Sequence, residues 1–124
     1  MTIQRTLGQT GEAIARQYLQ QHGYVILETN WRLGKNEADI IAYREGVVVF
    51  VEVKTRSNHD YGYPEEFVNH AKQRAYIRMA NYYMMKRLPD EEARFDIIAI
   101  ETDGKKTILN HIENAFSAVG QRLR

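Results

Sequence analysis

The sequence has no cysteine, only two prolines, no long apolar run and almost no net charge. Each absence removes a class of protein. Without thiols there is no disulfide framework and no thiolate metal site, so a metal would have to be held by carboxylates, imidazoles or carbonyls. No stretch approaches the ~20 apolar residues that cross a bilayer, and Met1 to Thr6 form no apolar signal segment. The expected location is the cytoplasm, with no membrane partner. A net charge of +1, from 17 basic and 16 acidic residues, gives no bulk attraction to nucleic acid. Any such role must come from local placement of charge. Repeats, low-complexity tracts and linkers are also missing. What is present is 124 residues, 44% hydrophobic and 27% charged, a length suited to a single domain, residues 1–124, with its own core.

The most informative stretch is Val47 to Arg56, Val-Val-Val-Phe-Val-Glu-Val-Lys-Thr-Arg. Its first five residues are β-branched or aromatic, the pattern of a strand buried on both faces. Glu52 and Lys54 follow two positions apart and therefore share a face. Buried ionisable groups are costly unless paired or metal-bound, so this strand carries either a salt bridge or chemistry. The segment Asp39–Tyr43 is also strand-like. A two-residue loop at Glu45-Gly46 pairs Arg44 with Val47, which sets Asp39 opposite Glu52 and Glu37 opposite Lys54. Facing side chains lie about 4.5–5.5 Å apart at Cβ. Two facing carboxylates repel unless a cation sits between them, and their oxygens suit a hard divalent ion. Glu is a poor residue for a primed turn, and a longer loop would slip this register.

Along the rest of the chain, Thr6–Gln9 matches a capping box for a helix to about His22, closed by Gly23. Ile14, Ala15, Tyr18 and Leu19 form its apolar stripe. Glu12 lies at the edge of that stripe and, by pattern alone, reads as a surface partner of Arg16. Tyr24–Trp31 reads as a first strand, with Trp31 as packing rather than a base-stacking platform. Arg32 and Lys35 flank the strand ends near Glu37 and Asp39. A polar loop with His59, Tyr61 and Tyr63 follows Lys54. Pro64 is expected to open a long helix to Arg87, with Val68, Ala71, Ala75, Met79 and Tyr82 or Tyr83 buried, and Lys72, Arg74 and Arg78 projecting. Its last turns, apolar nearly all round, imply deep burial or a partner surface. Phe95–Ile100 is a strand, Asp103-Gly104 a hairpin turn, Lys106–Ile112 a last strand and 114–119 a short terminal helix. Asp96 reads as a structural salt bridge or a support for the site. The order αβββαββ gives an α/β fold, a mixed five-stranded sheet flanked by helices: an antiparallel meander, then a helical crossover to a parallel strand.

Asn36-Glu37-Ala38-Asp39, twelve residues, then Glu52-Val53-Lys54 resembles the PD-(D/E)XK nuclease signature. With Glu12, Phe50–Arg56, Tyr61-Gly62, Lys72 and Arg94-Phe95-Asp96, the chain is similar to the YraN-like family of predicted endonucleases, itself similar to Holliday-junction resolvases. The likeness spans Gly11 to Phe116. Asn36-Glu37 stands where the family usually has Gly-Glu. The resemblance implies a restriction-endonuclease-like fold and a metal-dependent endonuclease acting on branched or structured DNA. By it, Asp39 and Glu52 would ligate Mg²⁺ or Mn²⁺, the Val53 carbonyl would be a further ligand, and Glu12 an accessory carboxylate. Lys54 would orient the attacking water and stabilise charge on the phosphate. Arg32, Lys35, Arg56 and Lys72 are candidate phosphate contacts, and Glu37 a neighbour supporting the site. Two other readings stand beside this one. One is a nuclease-fold DNA-binding module without useful turnover. The other is a structural protein that uses the Met- and Tyr-rich helix end as its contact surface. A resolvase would suit a twofold homodimer, and a protein partner supplying specificity would leave no mark in the sequence.

Overall fold

The computed structural model describes residues 7–56, 68–102 and 106–117. Helix α1 (Leu7–Gln21) is followed by strands β1 (Val25–Leu33), β2 (Asn36–Arg44) and β3 (Val47–Arg56), helix α2 (His70–Arg87), and strands β4 (Glu92–Thr102) and β5 (Thr107–Phe116). The five strands form one sheet in the order β1-β2-β3-β4-β5. Only β3 and β4, joined through α2, run parallel; the other neighbours are antiparallel. The expected element order and mixed sheet are therefore present. The Thr6 cap, the Asp103-Gly104 turn, the His59 loop and Pro64 lie outside the described residues.

Two apolar layers account for the architecture. Ala15 and Leu19 of α1 pack on Ile40, Ala42, Val49, Val51, Ile98 and Ile100. On the opposite face Tyr76, Met79, Ala80 and Tyr83 of α2 pack on Ile41, Val48, Phe50 and Phe95. The alternation along β3 explains the split: odd-numbered valines face α1, while Val48 and Phe50 face α2. Glu52 and Lys54 continue the α2 row, so the charged end of β3 lies beneath that helix.

The Glu45-Gly46 loop is the expected two-residue turn, with both residues at positive φ (52° and 84°) and Arg44 paired with Val47. Glu45 accepts left-handed strain to keep this register. Four expectations change. Helix α2 starts at His70 rather than Pro64: the Asn69 side chain caps it by accepting from Lys72 N at 2.9 Å. Ala71 is exposed and Tyr76 takes its place in the buried stripe. Of the segment 114–119 expected as a terminal helix, residues 114–116 are strand, since β5 runs to Phe116, and residues 118–119 lie outside the described residues. The strand is held there by Phe116 stacking on Phe95 at 4.9 Å and by Asn114 N donating to Asp96. Local helix propensity yields to those tertiary contacts. Strand β1 also extends beyond Trp31 to Leu33, which pairs with Asn36 across the Gly34-Lys35 turn.

Candidate active site

The main-chain ladder between β2 and β3 runs from Arg44↔Val47 to Ile40↔Val51. Past that point side chains join the strands. Asp39 Oδ2 accepts from Val53 N at 2.8 Å. The Tyr76 hydroxyl, from α2, accepts from Asp39 N at 3.4 Å and donates to Glu52 Oε1 at 2.6 Å, with Val51 O at 3.4 Å. A tyrosine thus occupies the opening between the strands and draws both acidic positions towards it. Val53 directs its N–H at β2; its carbonyl, on the same side of the strand, faces the opening too.

Glu52 is almost wholly buried, 4% exposed. Its second oxygen lies 2.9 Å from Lys72 Nζ and 3.3 Å from Lys54 Nζ. One carboxylate is therefore held by two ammonium groups and a phenol. Burial and the charge of Glu52 push the Tyr76 phenol well above its ordinary pKa, so it stays a donor. Among the described residues no cation is bonded to Asp39. Burial first, then the charge of Glu52, push its carboxyl up to about 7; Glu12 adds to this, while the Val53 N–H and Lys72 oppose it.

The third acid enters from the far side of the sheet. Asn30 Nδ2 donates to Glu12 Oε1 at 3.2 Å and to Glu37 Oε2 at 2.7 Å. Asn30 sits at φ 49° within β1, a left-handed conformation that Asn tolerates better than most residues, and this allows one amide to reach both acids. Helix α1 comes close enough because residue 11 is glycine: a Cβ there would overlap the Thr55 side chain. Glu12, expected from pattern alone to pair with Arg16, is thus turned towards the β1–β2 strands.

The expected cations divide. Lys72 and Lys54 lie on Glu52. Lys35 lines a cleft of about 490 Å³ with Asn36, Glu37, Asp39, Lys72 and Tyr76. Arg32 pairs with Glu37 at 3.2 Å, and Arg56 with Glu101 at 3.3 Å. Glu37 therefore takes Arg32 and Asn30 in place of the expected Lys54, which turns along its own strand to Glu52. Asp96, fully buried on the α1 side, takes Arg94 through two bonds of 2.9 and 2.8 Å, and His111 at 2.7 Å. It is the structural salt bridge. Tyr76 and Asn30 were not expected. Tyr76 had a signal, lying four residues after Lys72 and so on the same helix face; a left-handed Asn inside a strand gives none.

The donor set suits a hard divalent cation. Two carboxylates and a carbonyl at one opening match what magnesium takes from proteins, the remainder being water and phosphate oxygens. The raised Asp39 pKa marks a place short of positive charge. Among the described residues no three His, Asp or Glu side chains converge as a preformed cage.

Fold and cleft together define a class: an α/β domain with a helix on each face of a mixed sheet and a carboxylate–lysine cluster where two central strands part. The chain belongs to the family described as "Uncharacterised protein family UPF0102", the YraN-like group, whose model matches residues 11–100. It is 45% identical over 116 residues to a UPF0102 protein of Flavobacterium psychrophilum, covering 94% of this chain and 98% of the relative. It is 43% identical to one of Syntrophotalea carbinolica, covering 97% and 99%. For one of Alkaliphilus metalliredigens the identity is 42%, covering 92% and 100%. Among the described residues no helix is long and apolar enough to cross a membrane.

Proposed function

We propose that this protein is a metal-dependent endodeoxyribonuclease of the PD-(D/E)XK type, with a restriction-endonuclease-like fold, that hydrolyses phosphodiester bonds in branched or structured DNA in the cytoplasm. The observation that carries the reading is the meeting of Asp39, Glu52 and Lys54 at one opening, with Asp39 held at a pKa of about 7. Acids pressed together by burial weaken a fold, and a cation held between them would repay that weakness with function.

Asp39, Glu52 and the Val53 carbonyl would hold Mg²⁺ or Mn²⁺, with Glu12 and Glu37 tied alongside by Asn30. The ion would acidify a water and act as a Lewis acid towards the phosphate. The chain's own groups do the rest. Lys54, a third exposed at its side chain and 3.3 Å from Glu52, places a fixed positive charge where the phosphate's developing charge and the attacking water would lie. Tyr76 and Lys72 fix the Glu52 carboxylate. Helix α2 carries Lys72, Arg74, Arg78, Lys86 and Arg87 and no acidic residue, although the chain has 16 acids. Such a helix contacts phosphates without reading bases.

The test is cleavage of labelled four-way junction, flap, single-stranded and linear duplex DNA with Mg²⁺, Mn²⁺ or EDTA. Metal-dependent cutting of a branched substrate is expected from wild type and not from Glu52→Gln, with DNA binding kept in Lys54→Ala. Absence of cutting under every metal condition would end the proposal. One observation favours a binding module instead: both Glu52 oxygens are already engaged by Tyr76, Lys54 and Lys72. On that reading, junctions bind but Mg²⁺ does not shift the melting temperature.

A further inference from the structure

A second, smaller cleft of about 240 Å³ opens at the other end of α2, between Trp31, Tyr82, Tyr83, Lys86 and Arg87. The Trp31 and Tyr82 rings flank it with centroids 6.3 Å apart and planes tilted 39°. That separation is within the range of a direct contact between aromatic rings, so the two rings meet as one aromatic surface at the cleft. Tyr83 supports the indole edge-on at 5.3 Å. Tyr82 is 43% exposed. Lys86 Nζ lies 5.5 Å from the Tyr82 ring centre, which places a positive charge at the mouth. The nearby acid, Glu28, is taken up by Arg87 at 2.8 Å and the Tyr83 hydroxyl at 3.1 Å.

Both clefts lie between α2 and the β1–β2 strands. Met79 lines the first and Tyr82 and Tyr83 the second, one helical turn apart. Lys72 and Tyr82 are ten residues apart, about 15 Å along the axis. The cations that line the two clefts are Lys35 and Lys72 at the first and Lys86 and Arg87 at the second. Cationic tracking of a backbone beside an aromatic platform is the physical basis of single-strand binding.

We propose that this groove holds single-stranded DNA, with one unpaired base seated in the smaller cleft and stacked on the Trp31–Tyr82 aromatic surface. Resting on the nuclease reading, this makes the substrate one with unpaired nucleotides a few positions from the cut, as at a flap or an opened branch point. Trp31 is the only tryptophan in the chain, so its emission reports this cleft alone. Full-length protein in EDTA, where a metal-dependent enzyme does not cut, is titrated with a short oligothymidylate, with the same strand made abasic, and with a closed duplex hairpin. Saturable quenching by the oligothymidylate is expected. Binding should be about tenfold weaker for the abasic strand and about tenfold weaker for Tyr82→Ala, a substitution at an exposed ring. No quenching, or equal affinity for normal and abasic strands, overturns the proposal, the latter by showing phosphate contact alone. Because the assay involves no cutting, the two readings fail separately. Quenching without cleavage in any metal would remove the nuclease and keep the cleft; cleavage without quenching would do the reverse.

Discussion

Two aspartates on opposite faces of the sheet, Asp96 fully buried and Asp39 half-buried, are treated in opposite ways. Asp96, on the α1 side, is closed in by Arg94, His111 and Asn114 N. Burial alone would raise its carboxyl, but the hydrogen bonds from His111, Arg94 and Asn114 outweigh it and hold it below the ordinary value. Asp39, on the α2 side, accepts from the Val53 N–H, but burial and the charges of Glu52 and Glu12 outweigh that bond and Lys72 and push the carboxyl up to about 7. The first acid ties β4, β5 and α1 together, since His111 also meets the Tyr18 hydroxyl at 2.9 Å and Arg94 the Tyr24 hydroxyl at 2.8 Å. The second weakens the fold in the absence of a cation. A residue that opposes stability where two strands part, over a cleft, is where chemistry is to be sought.

The contrast can be broken from either side. The largest effect is expected from Asp96→Ala, which leaves Arg94 and His111 without their acid. It should destabilise the protein by about 3–5 kcal/mol, read by urea denaturation. Because the folded pKa of Asp96 is lowered, its contribution is complete above the unfolded value of about 4 and is lost as pH falls through the folded one. Asp39→Asn should act in the other direction. The folded pKa is raised, so the folded state binds more protons between about pH 4 and 7 and stability drains away as pH rises through that window. The substitution should therefore stabilise by about 2 kcal/mol at pH 8 and by little near pH 4, while abolishing any stabilisation by Mg²⁺. Next comes Gly11→Ala, which forces α1 away from Thr55. A loss of about 1–3 kcal/mol is expected in a thermal melt, with Glu12 displaced from Asn30. Tyr76→Phe removes the donor to Glu52 and should cost about 1–2 kcal/mol. The smallest effect is at the β2–β3 turn: Glu45→Gly relieves left-handed strain at φ 52° and should add about 0.5–1 kcal/mol.

Much of this was legible in the residues. The valine run, the two-residue turn and the helical crossover were enough for the mixed sheet and for the register from Arg44 to Ile40. Asp39, Glu52 and Lys54 could be brought together because strand periodicity is rigid. Side-chain choices among several partners could not be read the same way. Whether Lys72 reaches Glu52, or Glu37 takes Arg32 rather than Lys54, depends on where a helix lands on a sheet, and no one-dimensional pattern encodes that. The last strand was expected, but its end was read as helix for a related reason: residues 114–116 are held by Phe95 and Asp96, distant in sequence. Tyr76 and Asn30 show the same limit at the site, since each acts by filling a space that exists only after folding.

The most direct measurement is a carbon-detected NMR titration of the Asp39 carboxyl, with and without Mg²⁺. A midpoint near pH 7 without metal, falling by more than a unit when Mg²⁺ is added, is the result expected of an acid poised for a cation. A midpoint near the ordinary value of about 4, unmoved by Mg²⁺, would contradict it and leave the carboxylates as parts of the fold.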